Sequence, residues 1–262
     1  MCINTKVVKE LRLRSGIGIM ECKKALVAAN GDLEKAIIIL KKNGYIKAEN
    51  KFKNLATKGI IALCVKKNIS YILELNCETD FVEKNLDFLQ LGKEILFIAH
   101  TNQINNLSDL QTISQEKIVS CIARFNENIF IRRFGILHDV NITSYLHRNK
   151  IGVLLQAYSK NKMILKNIAM HIASQNPDYL ERHAIPSEIL EKEKQIQLEI
   201  ILNSGKPKNI LNKIVEGKIE KFVNSICLLE QSFIFDATKK VKDIIHENNV
   251  KVLKFIRFAV GQ

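Results

Sequence analysis

Ser70-Tyr71-Ile72-Leu73-Glu74-Leu75-Asn76-Cys77-Glu78-Thr79-Asp80-Phe81-Val82 is the stretch on which the fold turns. From Ser70 to Asn76 the residues alternate. Tyr71, Leu73 and Leu75 share one face, and Ile72, Glu74 and Asn76 the other, which is the period of a β-strand. Thr79-Asp80 then changes the chemistry. Thr is a favoured helix N-cap, and an acidic residue suits the first helical turn. The stretch reads as strand, sharp corner, helix. That helix is expected to run to about His100, with Phe88, Leu89, Gly92, Ile95, Leu96 and Ala99 inward. Phe81 falls at the corner beside Asp80. On the residues alone two readings stay open: a buried hydrophobic staple, or an exposed apolar side chain next to a carboxylate, suited to an interface.

Upstream, Gly59 to Val65 is a short apolar run joined to the strand by Lys66-Lys67-Asn68, so the pair reads as a β-hairpin. Residues 45–58 are polar and punctuated by Lys47, Lys51, Lys53 and Lys58, the pattern of a linker or a surface helix. Residues 4–43 read as three short helices. Val7, Val8 and Leu11 mark the first, which Ser15-Gly16-Ile17-Gly18 breaks. Cys22, Ala25, Leu26 and Ala29 mark the second, which Asn30-Gly31 ends. Asp32 caps the third, carried by Leu33, Ala36, Ile37 and Leu40, and Asn43-Gly44 is expected to close it.

Downstream, Ile129–Leu137 and Gly152–Ser159 are candidate strands, with Tyr145 to Lys150 a polar loop between them. Lys162–Ala173 has helical spacing. Two helical stretches flank Ser204-Gly205-Lys206-Pro207, the first carried by Ile189, Ile196, Ile200 and Asn203, the second by Ile210, Ile214 and Gly217. Charges fill their other faces, the pattern of an antiparallel coiled-coil hairpin. Val250–Val260 returns to β-type content. Helices and strands come in clusters without βαβ alternation, so the expected class is α+β.

The 262 residues suffice for one or two domains, and 47% hydrophobic with 26% charged residues is ordinary for a globular chain. No apolar run reaches the ~20 residues that span a bilayer, and the N-terminus has no apolar signal region. The net charge is +13, but 32 of the 40 cations are Lys and 8 are Arg. Arg is the residue preferred for bidentate phosphate and base recognition, so the charge is a weak nucleic-acid signal. Cys2, Cys22, Cys64, Cys77, Cys121 and Cys227 form no CxxC pair and no metal-finger spacing, which suits reduced, buried thiols. The six His are scattered. Gly-rich phosphate loops, GxSxG and HExxH are absent from the sequence, and Gly205-Lys206 is followed by Pro207. No catalytic residue, metal ligand or cofactor site is expected.

Together the motifs resemble the bacterial translation elongation factor Ts family. Leu11 to Leu26, with Arg12, Ser15-Gly16-Ile17-Gly18, Ile19, Met20 and Cys22, is similar to its N-terminal signature, and Asn30 to Ala36 continues it. Asn76 to Val82 is the second and most specific motif. Glu127-Asn128 with Arg132-Arg133, Tyr145 to His147 and Ile151-Gly152-Val153 form a third. Gly205-Lys206-Pro207, Glu216-Gly217-Lys218 and Leu228-Leu229-Glu230-Gln231 complete the C-terminal part.

The resemblance implies a three-helix, ubiquitin-associated-like domain over 1–45 and a linker over 46–58. It implies a core of two α+β subdomains, 59–140 and 141–262, the second with a coiled-coil hairpin at about 187–225. It implies a cytoplasmic exchange factor for elongation factor Tu, met in its GDP-bound and nucleotide-free states, acting without cofactor and without bond chemistry. Thr79, Asp80, Phe81 and Val82 would form the element that wedges beside the partner's Mg²⁺ site. Arg12, Ile19, Met20 and His147 would be further contacts. A basic RNA- or ribosome-associated protein is the alternative, but Trp is absent, aromatics are 6% and Arg is scarce. Any RNA contact is at most secondary, and neither DNA nor membrane is implied. Three departures stand out. Asn126 replaces the Gly usual before Glu127-Asn128; Asn54 and Lys58 replace the usual Arg and Glu; and the sequence ends at Gln262, where some members continue into a short helical module, so that contact is expected to be missing.

Overall fold

The computed structural model describes residues 4–202 and 208–262, the side chains of 201, 202 and 208–212 excepted. Ser204-Gly205-Lys206-Pro207, the expected turn, and Cys2 and Asn203 lie outside the described residues. The class is α+β. The chain divides into two compact units: Met1–His138 with Arg148–Gly152 and Phe258–Gln262, and Asp139–His147 with Val153–Arg257.

The first unit opens with helices α1 (Thr5–Ser15), α2 (Ile19–Ala28) and α3 (Leu33–Lys51). Their caps follow the sequence. Gly16 ends α1 at φ 68, and the Asp32 side chain accepts the Lys35 N–H at the start of α3. Leu11, Cys22, Leu26 and Ala36 form the buried seam between the three helices. Asn43-Gly44 does not close α3, which continues through it to Lys51. A Cβ on Gly44 would stand 3.3 Å from Ala123 and Val119, so this glycine lets two helices approach and does not cap one. Sequence spacing alone does not separate these two uses of Gly.

Strands β1 (Lys58–Val65) and β2 (Ser70–Cys77) pair antiparallel, and β2 lies between β1 and β3 (Phe130–Leu137). The alternation expected in β2 is present, yet all eight residues are buried. The polar face is buried because Glu74, fully enclosed, accepts from Arg132 at 3.0 Å, from Arg133 at 2.6 Å and from the Gly261 N–H at 3.0 Å. The helix expected from the corner to His100 is two helices: α4 (Asp80–Glu83) and α5 (Leu86–Thr101). Asn85 starts α5 by capping the Asp87 N–H. α6 (Leu107–Phe125), for which no element is expected from the sequence, packs with α5 over the sheet. Ile60, Leu73, Phe88, Ile95, Leu110 and Ile122 are its core. Each such buried side chain contributes roughly 1.5–3 kcal/mol.

In the second unit, β4 (Ile142–His147), β5 (Ile151–Tyr158) and β8 (Lys251–Ala259) make a three-stranded sheet with β5 central. Tyr145 to His147, expected in a loop, are the end of β4. The turn itself, Arg148-Asn149, is counted with the first unit; both residues have positive φ (49° and 57°), the geometry of a tight hairpin. α7 (Lys162–Gln175) packs on β4. The helices α8 (Ser187–Leu202) and α9 (Lys208–Ile226) pack on each other through Leu198, Ile214, Val215 and Ile219. Ile196 and Ile200, expected inward, are 41% and 57% exposed, and Gly217 is exposed. α8 carries two apolar stripes, and its partner helix selects the one that contains Leu198. A two-stranded ribbon, β6 (Ser232–Phe233) and β7 (Asp236–Lys240), precedes α10 (Val241–Glu247).

Candidate functional site

The corner between β2 and α4 takes the second of the two open readings. Phe81 is 83% exposed, while its neighbour Val82 is buried in the core. Burying Val82 fixes the rotation of α4, and that rotation turns Phe81 outward. Thr79 caps the helix as expected, its Oγ1 accepting from the Val82 N–H at 3.4 Å. Four residues are too few for a helix to hold itself, so its order comes from outside.

Three groups supply that order. The Glu127 carboxylate accepts from the Glu78 N–H (3.1 Å), the Thr79 N–H (3.0 Å) and the Thr79 hydroxyl (2.5 Å). In return, Glu78 Oε1 accepts from the Asn128 N–H at 2.6 Å and the Asn54 amide at 2.9 Å. Burial opposes ionisation of Glu78, but these donors and the Lys51 charge leave its carboxyl below the usual range. At the far end of α4, Glu83 is paired with Lys150, whose ammonium also donates to the Gly59 carbonyl at 3.1 Å. Beneath the corner, burial and then the Glu127 and Glu83 carboxylates push the Cys77 thiol up to about 12, so it is an inert core group.

Asp80 is on the surface. Its carboxylate accepts from Lys84 Nζ at 2.6 Å, one helical turn on. This bond first, and the Lys84 and Lys58 charges after it, hold Asp80 below the ordinary carboxylate value. Three residues singled out in the sequence enter the site. Lys58 adds positive charge near Asp80, and Asn54 ties the linker to Glu78. Asn126 holds the left-handed conformation at φ 58 that caps α6, immediately before Glu127. Asn is the side chain that tolerates this conformation best after Gly.

The remaining candidates are exposed. Met20 is 65% and Ile19 48% exposed on α2, and Met20 borders a shallow depression with Lys23, Lys24 and Val27. Arg12 is exposed on α1. His147 belongs to the second unit, is exposed, and its Nδ1 lies 3.1 Å from the Tyr145 hydroxyl. Glu127 and the Glu83–Lys150 pair are not among the site residues expected from the sequence; Glu127 had one signal, its place in the Glu127-Asn128 motif about 50 residues from the corner, and the pair had none. Among the described residues, no group of His, Cys, Asp and Glu could hold a metal ion, and no helix is long and apolar enough to cross a membrane.

A family described as "Elongation factor TS" matches residues 78–262. The chain is 46% identical over 260 residues to Elongation factor Ts of Buchnera aphidicola subsp. Acyrthosiphon pisum, covering 99% of this chain and 97% of that protein. It is 43% identical to Elongation factor Ts of Yersinia pestis (strain Pestoides F), covering 100% and 93%. It is 42% identical to that of Photorhabdus laumondii, covering 99% and 93%.

Proposed function

We propose a mechanism from one premise: the chain belongs to the elongation factor Ts family. It is a translation elongation factor that exchanges guanine nucleotide on elongation factor Tu. Elongation factor Tu holds GDP through a phosphate loop and a Mg²⁺ ion, so release requires that these contacts weaken. Phe81 enters between helices of the nucleotide-binding domain and forces them apart. Asp80 exchanges its Lys84 partner for polar groups of Tu beside the entry. The Mg²⁺ and phosphate ligands shift, and GDP leaves.

The observation that carries this reading is an 83% exposed Phe81 on a backbone held from both ends. A large apolar ring held rigidly in solvent beside a carboxylate suits an interface anchor. The effect is allosteric, with no bond made or broken. It is reciprocal: if this protein weakens GDP binding, nucleotide weakens binding of this protein by the same factor. GTP binding then expels the factor, which can act again.

In the same reading, α1–α3 form the ubiquitin-associated-like domain, whose Arg12, Ile19 and Met20 contact Tu. The α8–α9 pair is a coiled-coil hairpin in the second core subdomain, and His147 is a second contact on the core. The protein works in the cytoplasm, where Tu is.

The test is release of a fluorescent GDP analogue from elongation factor Tu in stopped flow. Fast release with this protein and near-basal release with the Asp80→Ala/Phe81→Ala variant is the expected outcome. Basal release with both would overturn the reading.

A further inference from the structure

We propose that Glu127 is the positioning residue of the Phe81 wedge: its carboxylate is what converts a loose corner into one that can do work on a partner. The inference rests on the wedge reading above and adds to it a residue 46 positions away in sequence. Phe81 can separate two packed helices only if its own backbone yields less than they do. The four-residue α4 offers no internal stiffness. Val82 and the Glu83–Lys150 pair anchor the later residues of α4, but they leave its N-terminal end free to tilt.

Glu127 removes that freedom. One oxygen takes both N–H groups that precede the helix, Glu78 and Thr79; the other takes the Thr79 hydroxyl. With its proton given to Glu127, Thr79 Oγ1 has its lone pairs free to cap Val82. The cap and the clamp therefore form one chain of hydrogen bonds, Val82 to Thr79 to Glu127. The Glu78 carboxylate closes the loop by accepting from the Asn128 N–H, so the segments 78–79 and 127–128 hold each other. Hydrogen bonds to a carboxylate are about twice as strong as neutral ones. Glu127 reaches neither the exposed Phe81 ring nor the Asp80 carboxylate among its hydrogen bonds, so it acts through the backbone. Its contribution is preorganisation: binding energy goes into displacing the partner's helices and not into ordering α4.

The test is GDP release from elongation factor Tu at saturating factor, with Glu127→Ala, Glu127→Gln and Glu127→Asp, each also in a Phe81→Ala background. Glu127→Ala should slow release by roughly tenfold or more, the scale of losing one charge-assisted hydrogen bond. Glu127→Gln keeps the reach and an acceptor for both N–H groups but loses the charge and the acceptor for the Thr79 hydroxyl, so its rate should fall between wild type and Glu127→Ala. Glu127→Asp keeps the charge, loses the reach and should resemble Glu127→Ala. In the Phe81→Ala background Glu127→Ala should add less than about twofold, because residues that act as a unit are not additive. A merely structural role would add equally in both backgrounds, and that result overturns the inference. Full activity of Glu127→Ala beside an inactive Phe81→Ala also overturns it while leaving the wedge intact. Full activity of Phe81→Ala overturns the wedge and the inference together. Should Glu127→Ala unfold at assay temperature, the Asp and Gln pair decides: equal rates for the two overturn the proposal.

Discussion

The β2–α4 corner and the outer face of α2 both present large apolar side chains to solvent, Phe81 in one and Ile19 and Met20 in the other. They are held differently. Ile19 and Met20 stand on a regular ten-residue helix whose N-cap, Gly18, makes no side-chain hydrogen bond. Lys47 and Glu21 tie that helix to α3 through one surface ion pair of 2.6 Å, and such pairs contribute little. Phe81 stands on four residues that are capped, clamped by Glu127 and pinned by the Glu83–Lys150 pair. Exposure is common to both faces; external bracing belongs to the corner. A face that only has to be covered needs no bracing, whereas one that must deform its partner does.

The largest expected effect separates the two faces by kinetics. Phe81→Ala should lower the saturated rate of GDP release by roughly a hundredfold, the scale of a hot-spot truncation. Met20→Ala should leave that rate unchanged and raise the half-saturating concentration by roughly fivefold. A titration of each variant against elongation factor Tu reads both. If Met20→Ala lowered the saturated rate, the division between covering and deforming faces would be broken.

A smaller effect is expected at Thr79. Thr79→Ala removes the cap of α4 and one of the three Glu127 bonds, and should cost about 1 kcal/mol in urea unfolding at unchanged slope. Gly18→Ala at the N-cap of α2 removes no side-chain bond, and a Cβ there meets open space. It should change stability by less than about 0.5 kcal/mol.

The smallest effect concerns charge. Lys84, by its hydrogen bond first, lowers the Asp80 value. The ion pair is therefore fully present above the ordinary carboxylate value and is lost only as pH falls through the lower folded one. Carboxyl NMR should show Asp80 titrating below the ordinary carboxylate value, and Lys84→Ala should move that titration upward. A titration of Asp80 that Lys84→Ala leaves in place would show that Lys84 does not hold it.

Much of the corner was legible in the sequence. Strand alternation from Ser70, the Thr79 cap and the position of Phe81 all follow from period-2 and capping chemistry, which act over a few residues. Whether Phe81 is buried or exposed was not legible, because an apolar residue just inside a helix start can face either way. The decision came from Val82, which fills the core and leaves its neighbour no room there. Glu74 was placed on the polar face of β2 by its period; its burial depends on Arg132, Arg133 and the Gly261 N–H, partners more than 50 residues off.

The sequence by itself determined the elements with local causes: the helix caps at Asp32 and Thr79, the break at Gly16, the hairpin of β1 and β2, and the α+β class. It also carried the family motifs, because these are patterns of residue order. Tertiary structure alone decided that α3 passes through Gly44, that Leu198 and not Ile196 faces α9, and that Glu127 clamps the corner. In each of these cases one residue type serves two uses, and the choice between them belongs to a packing partner distant along the chain. Local propensities amount to a few tenths of a kcal/mol per residue, whereas a buried contact or a charge-assisted hydrogen bond contributes one or more. Where the two disagree, the long-range partner prevails.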